Sequence, residues 1–166
     1  MKKNIYDTLY LDRDGVINHK INGYVQNYSQ LKYISGVLTS ISKLSKHFER
    51  IFVVTNQQGI GKKIMTINEL NELHSKMLID IKKHGGRVDK IYFCPHLETI
   101  KCDCRKPKPG MFIRSKIDFP ELDFSKAIMV GDSDSDIEAA ESLNIIAYKV
   151  SDKFTLSHWT DKFLYN

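Results

Sequence analysis

Long hydrophobic runs are absent from this sequence, as are internal repeats, low-complexity segments and linkers. No run approaches the length that a bilayer demands, and Asp7 interrupts the first apolar residues before a signal-peptide core could form. We therefore expect a cytoplasmic protein with no membrane partner. The lack of repeats and linkers favours one domain over residues 1–166, long enough to bury a core with its 42% of hydrophobic residues.

Cysteines are scarce, with 3 in the chain, all between residues 94 and 104. An odd number cannot form a closed set of disulfides, and so short a cluster could not staple a fold of this size, which favours a reducing compartment. The spacing is Cys94-x-His96 and Cys102-x-Cys104. Three thiolates and one imidazole complete a tetrahedral shell with no open position, so these residues predict a structural Zn²⁺ site.

Acidic residues are fewer than basic ones, 20 against 25, which gives a net charge of +5. Such a charge would suit nucleic acid or a multiply anionic small molecule. An extended surface of aromatic and basic residues, which single-stranded nucleic acid requires, is not evident in the sequence. We therefore expect an anionic small molecule rather than nucleic acid as the partner, and the strand-end residues described below make this a small phosphorylated metabolite. We also expect a monomer.

Apolar residues recur with alternating strand and helix periods along the chain. Strands are predicted at residues 6–11, 51–55, 91–93, 127–130 and 145–147. Helices are predicted at residues 37–48, from Thr66 to the glycines at 85–86, and from Ser135 to about Leu143. Strands separated by helices predict an α/β fold, a Rossmann-like three-layer sandwich around a parallel sheet of five or more strands.

Helix starts and buried faces follow from the same pattern. Thr66 with Glu69 predicts a capping box, and Ser135 with Glu138 predicts a second one. The buried face of the helix that begins at Thr66 is predicted to contain Ile67, Leu70, Leu73, Met77 and Ile81. Trp159 is expected to cover an edge of the sheet.

Polar side chains follow four of the predicted strands. In chain order they are Asp12 and Asp14, then Thr55 and Asn56, then Arg105 and Lys106 beyond the cysteine loop, then Asp132, Ser133 and Asp136. Ligands of open parallel sheets bind at the carboxyl ends of the strands, so we expect these residues to converge on one crevice.

The residue types at these strand ends predict phosphoryl transfer. Asp12 can act as nucleophile while Asp14 handles protons. Asp12, Asp132 and Asp136 would repel one another unless a hard cation such as Mg²⁺ bound among them. Donors to the transferring phosphoryl group are expected from Thr55, Asn56 and Lys106.

The chain resembles the haloacid dehalogenase (HAD) superfamily of phosphohydrolases in four motifs: DRDG at 12–15, TN at 55–56, RKP at 105–107 and GDSDSD at 131–136. More narrowly, it is similar to the capless, zinc-binding subclass IIIA, which contains heptose bisphosphate and histidinol-phosphate phosphatases. The further signs are LDRDGVIN, GYV at 23–25, TNQQGI, CPH followed by CDCRKPKPGM, and VGDSDSD. The cysteine loop matches the zinc site of that group.

This resemblance implies a role for each matching residue. Asp12 would form an aspartyl-phosphate, and Asp14 would serve as general acid and then as base. Mg²⁺ would be held by Asp12, the Asp14 main-chain carbonyl and Asp132. The remaining roles would be phosphoryl stabilisation by Thr55 and Lys106 and substrate recognition by Arg105.

The motifs favour one substrate without excluding a second. GYV and KPKPGM resemble heptose bisphosphatases, which implies removal of the C7 phosphate of D-glycero-D-manno-heptose 1,7-bisphosphate. The short step from His96 to Cys102 is more typical of histidinol-phosphate phosphatases. Ser133, counted here as a substrate-binding residue, stands where many heptose enzymes have a lysine. A second phosphate would need cations near the mouth of the crevice, for which Lys62 and Lys63 are the best placed, with Lys108 behind them.

Two further functions stay open at this stage. One is a 3′-phosphatase acting on nucleic-acid ends, which the basic charge would suit. The other is a non-enzymatic, zinc-bearing nucleic-acid binder, which would have no use for Asp12 and Asp14 and would bind with strong salt dependence.

Overall fold

A parallel sheet of five strands lies at the centre of the computed structural model, which describes residues 5–165. The strands are β1 (Thr8–Leu11), β2 (Arg50–Asn56), β3 (Lys90–Cys94), β4 (Ala127–Gly131) and β5 (Ile146–Lys149). Their order across the sheet is β3-β2-β1-β4-β5, and every neighbouring pair is parallel. The predicted α/β fold with a parallel five-stranded sheet is confirmed.

Helices cover both faces of the sheet. They are α1 (Val37–His47), α2 (Gln58–Gly61), α3 (Ile67–Lys83), α4 (Gly110–Asp118), α5 (Asp134–Glu141) and α6 (Leu156–Tyr165). One core contains buried side chains of α1, α3 and α6, and the other contains those of α4 and α5. The result is the predicted three-layer sandwich, although the sequence pattern did not predict α2, α4 or α6.

The central strands are apolar throughout because both of their faces are buried. In β1, Leu9 and Leu11 pack into the α1–α3–α6 core, while Tyr10 between them packs into the α4–α5 core. In β2, Val53 and Val54 divide between the two cores in the same way. A strand covered on both sides has no polar alternation, as expected for a parallel sheet between helical layers.

One predicted helix cap is confirmed and the other is wrong. Thr66 and Glu69 form the expected capping box at the start of α3. At α5, however, the capping pair is Ser133 and Asp136, because Ser133 has an extended backbone and Ser135 already lies inside the helix. The helix therefore begins two residues earlier than predicted, directly beside the end of β4.

Two packing predictions have different outcomes. Ile67 does not belong to the buried face of α3, since 47% of it is exposed at the first turn of the helix. His74 occupies a place on that face instead and is only 5% exposed. Trp159, in α6, is 3% exposed and its ring centroid lies 5.6 Å from that of Tyr148 in the edge strand β5, as expected.

The segments above the carboxyl ends of β1 and β2 are short. Between β1 and α1 the structure has only a 3₁₀ turn (Tyr28–Gln30), and between β2 and α3 only α2. Neither segment builds a separate lid over the strand ends. Among the helices of the described residues, none is long and apolar enough to span a membrane.

Candidate active site

Asp12 is the first residue after β1 and lies in the middle of the sheet. Its backbone N–H donates to the Val130 carbonyl (3.1 Å), which continues the β1–β4 ladder by one residue. Its Oδ1 accepts from the Arg13 backbone N–H (2.8 Å) and lies 3.1 Å from Nζ of Lys106. The carboxylate is therefore fixed between two strands and is only partly accessible, at 8% exposure.

Lys106 is a buried cation that three oxygen atoms surround. Besides Asp12, its Nζ donates to the Val54 carbonyl (2.7 Å) and to Oδ1 of Asp136 (2.5 Å). Burial alone would lower the pKa of Lys106, but the charges of Asp12 and Asp136 outweigh it and raise the pKa. The lysine is therefore charged and directed toward the carboxylate that follows β1.

Three carboxylates meet at this edge of the sheet. Oxygen atoms of Asp12, Asp132 and Asp136 all lie within 4.8 Å of one another. Burial, together with the neighbouring carboxylates, raises the pKa of Asp12 to about 7 despite the opposing effect of Lys106. Oδ1 of Asp132 is buried without a hydrogen-bond partner among the described residues, while Oδ2 is paired with Lys20. Excess negative charge and an unused oxygen ligand fit a hard divalent cation.

Gly15 allows Asp132 to approach the loop after β1. Its φ of +86° is in the left-handed region, and a Cβ at this position would overlap Oδ2 of Asp132. Any other residue would both strain the backbone and push the carboxylate of Asp132 away. The glycine of the DRDG motif is thus required by the geometry of the carboxylate cluster.

Asp14 accepts hydrogen bonds on both of its oxygen atoms. Oδ1 accepts from Nη2 of Arg13 and Nδ2 of Asn18, both at 2.9 Å, and Oδ2 accepts from Nε2 of Gln57 (3.0 Å). Burial opposes ionisation, but the Arg13 charge and these hydrogen bonds outweigh it and lower the pKa of Asp14. Asp14 is therefore held in its charged form in this conformation.

Asp136 organises the loop after β4 from within the cluster. Its Oδ2 accepts from the backbone N–H groups of Asp132 and Ser133, both at 3.1 Å, and from the Ser133 hydroxyl (2.8 Å). Asp136 is fully buried, and its hydrogen bonds hold Lys106, Ser133 and the backbone of Asp132 in place. The Ser133 hydroxyl, which we predicted as a substrate contact, here serves the helix cap and also contacts Ser135.

The side chains at the end of β2 form hydrogen bonds with neighbouring groups of the site. Asn56 exchanges two hydrogen bonds with the backbone of Lys106, one through Nδ2 (3.1 Å) and one through Oδ1 (3.0 Å). The Thr55 hydroxyl accepts from Nε2 of Gln57 (2.8 Å). Asn56 therefore fixes the position of the Lys106 backbone, and Gln57 links Thr55 to Asp14.

A cationic cavity of about 440 Å³ adjoins Lys106 on the side of the cysteine loop. Its walls include Lys101, Arg105, Lys108 and one carboxylate, Glu98. Nη1 of Arg105 is buried and has no hydrogen-bond partner among the described residues. This cavity is therefore suited to an anionic group.

Lys62 and Lys63 do not line this cavity. Nζ of Lys62 lies 5.4 Å from the centre of the Tyr24 ring, and Tyr24 lines a smaller, second cavity of about 190 Å³ with Asp14 and Lys20. Lys63 is exposed and has a left-handed backbone (φ 58°). The structure brings the other predicted residues together and leaves these two at the outer rim.

The cysteine loop gathers its four predicted ligands. The Sγ atoms of Cys94 and Cys104 lie 3.0 Å apart, and Cys102 lies 3.5 Å from each of them. Nδ1 of His96 lies 3.1 Å from Sγ of Cys104. All four ligand atoms are within 4.8 Å of one another, and all three cysteines are free thiols.

The pKa values of the thiols shift in different directions as a result of this crowding. Burial and the neighbouring thiols raise the pKa of Cys104. Burial acts in the same direction on Cys102, but the Arg105 backbone N–H and the other thiols lower its pKa to about 7. Three thiolates cannot coexist at these distances without a cation, and three sulfurs with one imidazole nitrogen form the donor set that Zn²⁺ takes in closed sites.

Four residues of the site were missed by reasoning from the sequence: Arg13, Asn18, Lys20 and Gln57. Arg13 and Gln57 stand inside the DRDG and TNQQGI stretches, next to residues that were chosen. Their position next to a strand end could have identified them as site residues. Asn18 and Lys20 lie in the following loop, and the sequence does not indicate which side chains of that loop face the site.

Comparisons with known proteins agree with this geometry. Residues 103–161 match the family model described as HAD-hydrolase-like. D-glycero-beta-D-manno-heptose-1,7-bisphosphate 7-phosphatase of Neisseria meningitidis serogroup A is 37% identical over 135 residues, which cover 81% of this chain and 72% of the relative. The D-glycero-alpha-D-manno-heptose enzyme of Mycobacterium bovis is 37% identical over 136 residues, with the same two shares.

Solved structures give the same answer. The crystal structure of D,D-heptose 1,7-bisphosphate phosphatase from B. bronchiseptica, complexed with magnesium and phosphate, has a TM-score of 0.89 and 27% identity, and the match covers 95% of this chain and 98% of that one. The corresponding enzyme of Burkholderia thailandensis has a TM-score of 0.66 and 26% identity, with 96% and 99% covered.

The sheet and the carboxylates at its strand ends define a phosphatase of the HAD-like class. Within that class, the chain belongs to the family of the D-glycero-D-manno-heptose-1,7-bisphosphate 7-phosphatases. The family that the motifs resembled is confirmed.

Proposed function

We propose that this protein hydrolyses the C7 phosphate of D-glycero-D-manno-heptose 1,7-bisphosphate through an aspartyl-phosphate on Asp12. The observation that carries the mechanism is the buried Asp12 carboxylate beside the charged Lys106 and the Asp132–Asp136 pair. The names of the relatives support the substrate.

In the first step a carboxylate oxygen of Asp12 attacks phosphorus, and the bond between phosphorus and the sugar oxygen breaks. Asp14, which is charged before substrate binds, takes up a proton from solvent as the phosphate dianion binds nearby and gives that proton to the departing sugar oxygen. In the second step Asp14 takes a proton from water, the water oxygen attacks phosphorus, and the bond to Asp12 breaks to release phosphate. Lys106 stabilises the charged phosphoryl oxygens throughout, and the Thr55 hydroxyl is a second donor for them.

Two metals complete the proposal. Asp12, Asp132 and the Asp14 main-chain carbonyl would hold Mg²⁺, with Asp136 orienting Asp132. Mg²⁺ would neutralise charge on the phosphoryl oxygens. Zn²⁺ would be held by the four ligands of the cysteine loop and would order the segment that leads into Arg105 and Lys106.

The cationic cavity favours the bisphosphate over histidinol phosphate. Lys101, Arg105 and Lys108 offer three positive charges, against one carboxylate from Glu98. The second phosphate of a bisphosphate would be attracted there, whereas the ammonium group of histidinol would be repelled. The short step from His96 to Cys102 is typical of histidinol-phosphate phosphatases, but the excess positive charge of the cavity disfavours their ammonium-bearing substrate.

The test is phosphate release by the purified protein with Mg²⁺ from four compounds: the α and β anomers of the heptose bisphosphate, heptose 7-phosphate and histidinol phosphate. We expect the highest kcat/KM for one bisphosphate anomer and no turnover after chelation of Mg²⁺. Equal or better turnover of histidinol phosphate would contradict the proposed substrate. Lack of turnover with all four would contradict the proposed reaction.

A further inference from the structure

Arg13 is a buried cation whose side chain has two polar partners, His74 and Asp14, within the described part of the chain. Its side chain is 1% exposed and forms the ion pair with Asp14 (2.9 Å). On the other side, Nη1 lies 3.1 Å from Nε2 of His74, while Nε has no partner among the described residues. A buried guanidinium with so few contacts depends strongly on each of them.

His74 reaches Arg13 from helix α3, on a face that is otherwise apolar. Leu70, Leu73 and Met77 are its buried neighbours on that face, and the Phe93 ring lies against it with centroids 6.4 Å apart. An arginine can only donate, so Nε2 of His74 must accept and the imidazole must be neutral. Burial and the charge of Arg13 lower the pKa of His74 to about 3, against the opposing effect of Asp14, which agrees with a neutral ring.

We propose that His74 is a positioning residue that acts through Arg13 to hold the Asp14 carboxylate where it can transfer protons. The chain of contacts runs from the α3 backbone through the imidazole and the guanidinium to Oδ1 of Asp14. Loss of the imidazole would leave Arg13 without a contact on one side, and Asp14 would then depend on Asn18 and Gln57 for its position. This inference rests on the proposed function, since it assigns Asp14 the proton transfers.

A leaving-group comparison tests the role. A sugar phosphate must receive a proton as it departs, whereas p-nitrophenyl phosphate releases a phenolate that departs without one. Because kcat/KM reports the step in which the ester bond breaks, a misplaced Asp14 lowers kcat/KM for the sugar phosphate selectively. A general loss of stability or of active protein would lower both values equally.

The variant His74→Leu removes the acceptor, and His74→Gln keeps an acceptor of similar reach. Met77→Leu, one turn along the same buried face, is the matched control. We expect His74→Leu to lower kcat/KM for the heptose bisphosphate by about tenfold or more, with a change below about threefold for p-nitrophenyl phosphate. His74→Gln should regain most of the loss, and Met77→Leu should change neither value selectively.

Equal losses on both substrates, or the same selectivity in Met77→Leu, would overturn the inference. If His74→Leu does not fold, His74→Asn replaces it, since its shorter amide cannot reach Arg13, and equal selectivity of the Asn and Gln variants would overturn the inference in the same way. Wild-type protein is assayed first with both substrates. Failure there contradicts the proposed function, whereas an active wild type with an unselective His74→Leu contradicts only the role of His74.

Discussion

The charge on Asp12 depends on a balance among its immediate neighbours. Lys106 contacts both Asp12 and Asp136, so one cation is shared by two carboxylates, while Asp132 adds a third. Keeping a carboxylate ionised in such a place costs free energy, so folding stability alone does not explain why Asp12 is there. The arrangement is understandable as a site at which negative charge on Asp12 is used in a reaction.

Asp12→Asn tests this use directly. The amide keeps the shape but lacks the negative charge that attacks phosphorus, so kcat should fall by about a thousandfold or more. Asp134→Asn is the matched control, because Asp134 lies in the same acidic stretch but its side chain is 82% exposed and its ion pair is with Lys149, outside the carboxylate cluster. Turnover of Asp12→Asn above about a tenth of wild type would contradict the covalent mechanism.

Two pairs of lysines compete for the role of binding a second phosphate. Lys101 and Lys108 line the cationic cavity, whereas Lys62 and Lys63 lie at the outer rim. Replacing Lys101 and Lys108 by alanine should raise KM for the bisphosphate by about tenfold or more and leave KM for heptose 7-phosphate nearly unchanged, since each lost charged contact is worth about 1.5–3 kcal/mol. The Lys62→Ala, Lys63→Ala double variant is the comparison. A selective effect in that variant alone would support the prediction made from the sequence instead.

The cysteine loop is the element whose order the site depends on most. Residues 98–101 of this loop are exposed, and the chain passes from Cys104 into Arg105 and Lys106 without a spacer. Such a segment buries too little apolar surface to fix its own conformation. Its order comes from the ligand cluster and from a few hydrogen bonds, among them the two between Asn56 and Lys106 and one from the Glu98 backbone N–H to Oε1 of Gln58 (2.8 Å).

We expect Cys102→Ala to lose zinc and to lower kcat/KM roughly 10- to 100-fold, because small displacements of Lys106 are expensive in phosphoryl transfer. Mg²⁺ binding at Asp12 and Asp132 should be nearly intact. Elemental analysis beside kinetics measures both effects. Thr99→Ala, in an exposed part of the same loop, should change neither. A zinc-free Cys102→Ala protein with unchanged kcat/KM would show that the loop is ordered without metal.

The stability of the whole molecule should depend on the neutral His74. The pKa of His74 is about 3 in the folded protein, against about 6.5 in an unfolded chain. Below pH 6.5 the unfolded state therefore binds a proton that the folded state does not, and stability falls as the pH drops from about 6.5 toward 3. The charge of Arg13 adds to this effect and that of Asp14 opposes it.

Chemical unfolding at pH 7 and pH 5 measures the contribution. Between these pH values the free energy of unfolding should fall by about 2 kcal/mol more for wild type than for His74→Gln. Below the unfolded-state pKa, each pH unit is worth about 1.4 kcal/mol for one proton. Acid release of zinc affects both proteins alike and cancels in the difference. The same loss of unfolding free energy in both proteins would mean that His74 is already charged at pH 7 or that its pKa is not lowered by burial.

The sequence predicted those parts of the molecule that follow a local or topological rule. Parallel strands deliver their next residues to one edge, so Asp12, Thr55, Lys106 and Asp132 could be grouped before their distances were known. The contact between Arg13 and His74 could not be predicted, because it joins residues 61 positions apart and a histidine on an apolar helix face looks like an ordinary core residue. Helix α4 was missed for a local reason, since it begins at Gly110 without a side-chain cap.

The cationic cavity beside Lys106 has a consequence for how the protein would behave during turnover. A substrate with two phosphates departs as a product with one, and if that phosphate occupies the space between Lys101, Arg105 and Lys108, the product keeps the contacts that held the substrate. Product would then compete with fresh substrate as it accumulates. The throughput of the protein would depend on how quickly a following reaction, one that consumes a sugar monophosphate, clears the site.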